Sequence, residues 1–146
     1  MTEGFRFSHR LKVRYSEIDG QKIVFNAHYL TYLDVAVTEY FQEGLEMDVM
    51  QLAEQGTFDF VVAKTTLEYK DSARLNDWLT IWCRTSKIGN SSMTMEFHII
   101  RGGETTPLLE AEIIYVSYNP LTHVKQAVPG FVRERIEQFE GKELTK

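Results

Sequence analysis

Asp19 and Asn26 stand seven positions apart in the segment Arg14-Tyr15-Ser16-Glu17-Ile18-Asp19-Gly20-Gln21-Lys22-Ile23-Val24-Phe25-Asn26-Ala27-His28-Tyr29. The segment passes from a strand-like stretch through a polar turn into an amphipathic helix pattern, so a carboxylate sits just ahead of a helix start. The first N–H groups of a helix have no intrahelical acceptor and carry partial positive charge. Such donors can hold a developing oxyanion, while a carboxylate beside them attacks or activates water. The pair suits chemistry on a polarised carbonyl without a metal. Glu17 lies two residues before Asp19, so both carboxylates point the same way if the strand continues that far. A close second carboxylate raises the pKa of one of the two. On its own, an Asp ahead of a helix is most often a turn or capping residue.

The flanking pattern says what must position these groups. Phe5, Phe7, Leu11, Val13 and Tyr15 fall on one side of a strand over Phe5 to Tyr15. From Asn26 the period changes. Tyr29, Leu30, Leu33, Ala36, Val37, Tyr40 and Phe41 form one apolar stripe at roughly 100° per residue. Asn26 suits an N-cap and Gly44 a C′ position. A second, shorter helix is predicted from Asp48 to Gln55, ended by Gly56. Strands are predicted over Phe58 to Tyr69, Trp78 to Ile88, Met93 to Ile99 and Leu109 to Ser117, with a hairpin turn at Gly89-Asn90. Pro129 opens a terminal helix from Gly130 to Phe139. The order predicts an α+β domain, one long helix on one face of an antiparallel sheet. The other face keeps Ile100, Ile114 and Val116, which suits it to a subunit interface.

The chain has 146 residues, enough for one domain with one core. A net charge of −5 argues against non-specific nucleic-acid binding. No apolar run approaches the ~18 residues of a membrane span, and Met1-Thr2-Glu3-Gly4 lacks signal-peptide character, so a cytoplasmic location is expected. Cys83 is the single cysteine, excludes an internal disulfide, and reads as a core residue. His9, His98 and His123 show no ligand spacing, so no metal is expected.

Arg-Tyr-x-Glu-x-Asp, then Ile-Val-Phe-Asn-x-x-Tyr and a long amphipathic helix, resembles the hotdog-fold acyl-CoA thioesterases, in particular the 4-hydroxybenzoyl-CoA thioesterase-like subgroup. The ending Val128-Pro129-Gly130-Phe131-Val132 fits the same layout, and the resemblance covers nearly the whole chain. It implies a hotdog fold, a sheet wrapped around one central helix, and hydrolysis of an acyl-CoA thioester to free acid and CoA. It implies that Asp19 is the general base or nucleophile and that the Asn26 N–H is the oxyanion donor. Ile23, Val24 and Phe25 match the segment beside the acyl and pantetheine groups, and His28 stands where relatives often have Asn. The resemblance implies no cofactor beyond the CoA of the substrate. It further implies an active site between two subunits of a homodimer, often paired again into a homotetramer.

Lys22 departs from the family pattern, which commonly has Gly there. Gly20 is then the candidate to supply the backbone freedom. Lys22 is left to meet a CoA phosphate or to pair with Asp19. A tight Lys22–Asp19 pair would favour the alternative function, a non-catalytic acyl-CoA or acyl-carrier binding module. Phe25, Tyr29, Phe58 and Phe60 would suit an aryl or short acyl group, though core packing explains them equally well.

Overall fold

A computed structural model describes residues 3–144; Met1 and Thr2, half of the signal-peptide reading, lie outside the described residues. Strand β1 spans Phe7–Lys12, helix α1 His28–Glu39, helix α2 Val49–Glu54, β2 Asp59–Tyr69, β3 Trp78–Ile88, β4 Ser92–Arg101, β5 Leu109–Tyr118 and helix α3 Gly130–Glu140. The five strands form one antiparallel sheet in the order β1-β3-β4-β5-β2. The predicted strands from β2 onward and the two shorter helices are present within a few residues.

Alternation decides which side chains meet α1. Leu79, Ile81, Cys83, Met93, Met95, Phe97, Ile99, Ile113 and Tyr115 are buried on one face of the sheet, and α1 adds Tyr29, Tyr32, Leu33, Ala36 and Val37. The sheet curls around this helix, which is the hotdog arrangement. Cys83 is fully buried, and that burial pushes its thiol well above the ordinary range.

Several local expectations are corrected. Leu30 is exposed, and Tyr32 takes the inward place. At 100° per residue Leu30 and Tyr32 lie equally far, about 80°, either side of the Tyr29–Leu33 line, and the Tyr32 hydroxyl goes inward to bond the buried Glu17. The chain leaves β1 early, because Tyr15–Glu17 is a 3₁₀ turn and Tyr15 faces solvent. Helix α1 widens into a π turn at Tyr40–Gly44, closed by the Leu45 N–H on the Tyr40 carbonyl at 2.9 Å. Gly44 does not adopt a positive φ; Glu46 does, at 54°. Gly44 is instead constrained by space, since a Cβ there would stand 3.4 Å from the rings of both Phe7 and Phe139.

Helix α3 is anchored by a buried polar contact. The Tyr40 hydroxyl donates to Glu140 Oε2 at 2.5 Å, and the Thr85 N–H donates to the same oxygen at 3.1 Å. Burial raises the Glu140 pKa, against the pull of these donors.

Candidate active site

The segment before α1 folds back on itself. Ile18 and Val24 form an antiparallel bridge, the Phe25 N–H donates to the Glu17 carbonyl at 2.9 Å, and the Asp19 N–H donates to the Ile23 carbonyl at 2.8 Å. Asp19 and Phe25 are thus diagonal across a two-stranded ladder, a relation that sets Cα atoms roughly 7–8 Å apart. This carries the backbone of Asp19 back beside Phe25, one residue before Asn26. Asp19 Oδ1 accepts the Gln21 N–H at 2.8 Å, and the Asp19 carbonyl accepts the Lys22 N–H at 2.9 Å.

The helix start matches the electrostatic expectation but not the cap. Ala27, not Asn26, is the N-cap residue, and no side chain caps α1. The His28 N–H donates to the Phe25 carbonyl at 2.9 Å, whereas no acceptor among the described residues receives the N–H of Asn26 or Ala27. Both N–H groups are therefore open to an acceptor from outside the described residues. The Asn26 carbonyl accepts from the Tyr69 hydroxyl at 3.4 Å, which ties the helix start to the end of β2.

Glu17 is not a second reacting carboxylate. It is buried, with Oε1 accepting from the Arg14 N–H at 2.9 Å and the Tyr32 hydroxyl at 2.7 Å, and Oε2 bound by the Arg14 guanidinium at 2.6 Å. Desolvation pushes its carboxyl up, but the donors from Arg14 and Tyr32 together hold it below the usual range. Burial and the Glu17 charge raise the Tyr32 hydroxyl in turn. Glu17 is therefore a brace between the turn and α1, a role visible only once Tyr32 is seen to face inward. The sign of its linkage follows. A lowered folded-state pKa gives stability that is present above the unfolded value near 4.5 and lost as pH falls through the folded value. Glu17→Gln is expected to be less stable than wild type by about 1–3 kcal/mol at neutral pH. The gap should shrink on acidification below pH 4, read from urea midpoints at both pH values.

Lys22 occupies the left-handed region itself, at φ 65°, and Gly20 does not. The expected transfer of backbone freedom to Gly20 does not occur. Lys22 is exposed and forms no ion pair with Asp19. Val24 belongs to the core, while Ile23 is half-buried and Phe25 is exposed, edge-on to the His28 ring at 6.0 Å. Tyr29 and Phe58 are core residues and leave Phe25 and Phe60 as the accessible aromatics of the four.

A groove of about 680 Å³ lies elsewhere, between the later turns of α1, α2 and the start of β2. Phe41, Met47, Met50, Ala53, Phe60 and Val62 line it, with Asp34, Asp48 and Asp59 also at its edge. Of the aromatics named as acyl-contact candidates only Phe60 lines this groove, together with Phe41 of the α1 stripe and Asp48 at the start of α2. Phe60 precedes Tyr69 by nine strand residues, roughly 30 Å of strand, so groove and helix start are at opposite ends of β2. His9, Glu39 and Glu43 bring one potential ligand atom each within 4.8 Å of one another, a grouping that chain spacing hides. Such a surface group is not by itself a metal site.

Comparison with known proteins supplies an independent line. Residues 21–108 match the family model of the thioesterase superfamily. The acyl-CoA thioester hydrolase YbgC of Escherichia coli O6:H1 is 30% identical over 128 residues, 88% of this chain and 93% of that protein. The long-chain acyl-CoA thioesterase FadM of E. coli K12 is 30% identical over 131 residues, 89% of this chain and 96% of that protein. A thioesterase from Thermus thermophilus, solved with coenzyme A and Zn, superposes with a TM-score of 0.83 at 30% identity, covering 97% of this chain and 99% of that one.

Proposed function

Since the chain belongs to the thioesterase superfamily, we propose that it hydrolyses an acyl-CoA thioester to the free acid and CoA. What supports this reading is a backbone ladder that returns the Asp19 turn beside Phe25, next to a helix start whose Asn26 N–H has no acceptor among the described residues. Asp19 serves as general base or nucleophile. The Asn26 N–H, with Ala27 beside it, receives the charge that develops on the carbonyl oxygen. One such donor is typically worth on the order of 10²–10³ in rate. Ile23, Phe25 and His28 line the approach of the thioester, and Lys22 projects outward where a CoA phosphate can meet it. The reading is tested by thiol release from a panel of aryl, short and long acyl-CoA esters; turnover of none would remove it.

The unit that acts is a homodimer built on β2. This strand is a sheet edge, and Val61, Val62 and Tyr69 on it are about half exposed, at 48%, 57% and 50%. A long open edge with apolar side chains invites a second strand, and a two-fold axis lets the same edge serve both copies. Antiparallel pairing of two β2 strands would bring the Tyr69 end of one protomer beside the Asp59 end of its partner. The Asp19–Asn26 corner of one copy would then face the groove of the other. The acyl group lies in that groove, whose apolar walls and acidic edge favour an uncharged tail over a carboxylate-bearing one.

Lys22 decides between an enzyme and a binding module on the same fold. Its left-handed backbone costs about 1–2 kcal/mol relative to Gly, partly offset by the ~0.5–1 kcal/mol of extra chain entropy that Gly loses on folding. Lys22→Gly is therefore expected to change stability by less than about 1 kcal/mol and turnover by only a few-fold. A turnover gain of orders of magnitude in the same assay would mark the wild-type site as a blunted, binding one.

A further inference from the structure

We infer that Arg101 is a positioning residue for the reaction, acting through the 71–77 segment on which the Asp19 turn rests. The inference rests on the thioesterase reading and concerns the same site. Arg101 is the last residue of β4. Its Nε donates to Asp77 Oδ2 at 3.0 Å, its Nη1 to Asp71 Oδ2 at 3.3 Å and to Glu104 Oε2 at 3.0 Å, and its Nη2 to the Ser72 carbonyl. Asp77 Oδ2 also accepts the Arg74 N–H at 2.8 Å. Both ends of the connection between β2 and β3 are thereby held by one cation.

The middle of that connection is the floor of the site. Ala73 is fully buried; its carbonyl accepts the Val24 N–H at 2.9 Å and its N–H donates to the Tyr29 hydroxyl at 3.0 Å. Arg74 pairs with Ile23, whose carbonyl accepts the Asp19 N–H at 2.8 Å. A short chain of hydrogen bonds thus runs from the guanidinium to the backbone of Asp19, and a branch through Tyr29 reaches the first turn of α1. Arg101 itself contacts neither Asp19 nor Asn26.

Without the guanidinium, three carboxylates remain around one point with no other Lys or Arg ion-paired to them among the described residues. Their repulsion would spread the segment and shift Ile23, Val24 and Tyr29 together. A lysine keeps the charge but cannot reach four acceptors with one planar fork. Misplacement of catalytic groups by about 1 Å costs up to roughly 10²-fold in rate. Because Ile23 holds the Asp19 backbone and Tyr29 the first turn of α1, the displacement reaches the reacting groups, and kcat takes the larger loss while KM moves little.

The test uses the full chain and an acyl-CoA ester that wild type turns over, assayed well below the unfolding temperature of each variant. Arg101→Met is expected to lower kcat at least about 10-fold with KM within about three-fold, and Arg101→Lys to fall between it and wild type. Arg101→Ala is expected to regain part of its kcat on addition of millimolar ethylguanidinium, whereas Asp19→Asn is expected to regain none. Unchanged kcat in Arg101→Met, or a deficit in Arg101→Lys that equals its unfolded fraction, would overturn the inference, as would failure of ethylguanidinium to restore any rate. Wild type turning over no acyl-CoA would remove the thioesterase reading instead, so the two failures are distinct.

Discussion

Asp19→Asn is expected to lower kcat on a good acyl-CoA substrate by at least about 100-fold while leaving the fold intact. Asparagine keeps an oxygen where Asp19 Oδ1 accepts the Gln21 N–H, so the turn retains its local hydrogen bond. The Asp19 backbone bonds to Ile23 and Lys22 do not involve the side chain at all. What disappears is the negative charge that, in the proposed mechanism, attacks the thioester or takes a proton from water. Asp19→Ala removes the charge and the turn bond together, and its additional loss of stability, about 1 kcal/mol, separates the structural part from the chemical part. Thiol-release kinetics with a thermal melt on each variant make the comparison. Hydrolysis by Asp19→Asn at the wild-type rate would refute a reacting role for Asp19.

The sequence was most readable where one physical period dominates. Met93, Met95, Phe97 and Ile99 alternate with polar residues, and β4 buries that set. The 3.6-residue period of α1 was equally visible, yet its inward face was misassigned at Leu30. Apolarity alone does not reveal that Tyr32 goes inward to donate to Glu17. The same omission made Glu17 look like a partner of Asp19. A buried carboxylate takes its role from groups brought in by the fold, here Arg14 from three residues before it and Tyr32 from fifteen residues after it. Lys22 is a different case: a positive φ at a lysine runs against residue preference, so sequence alone favours Gly20, two residues before it. The groove is not legible along the chain because Phe41, Ala53 and Val62 come from three elements, and no spacing relates them. Arg101 lies 82 positions beyond Asp19, and its link to the turn exists only through the backbone of Ala73 and Arg74.

Co-expression of Asp19→Ala with Ala53→Trp is expected to restore hydrolysis that neither variant performs alone. Ala53 lines the groove on α2, and an indole there would fill space that the proposed acyl tail needs. The substrate is therefore one that wild type hydrolyses and Ala53→Trp alone does not. If the corner of one protomer works with the groove of its partner, a mixed dimer has one complete site, Asp19 from the Ala53→Trp chain and an open groove from the Asp19→Ala chain. Random pairing of equal amounts makes half the dimers mixed, each with one complete site of two, so about a quarter of wild-type activity should return. If corner and groove of the same protomer work together, each chain of the mixed dimer carries its own lesion and nothing returns. Differently tagged copies purified through both tags raise the expected value to about half, because every dimer is then mixed. Full activity of Ala53→Trp on every acyl length would instead exclude the groove from acyl binding. The experiment thus reads a spatial relation, roughly 30 Å of strand that the proposed two-fold axis would turn into contact, directly from a rate.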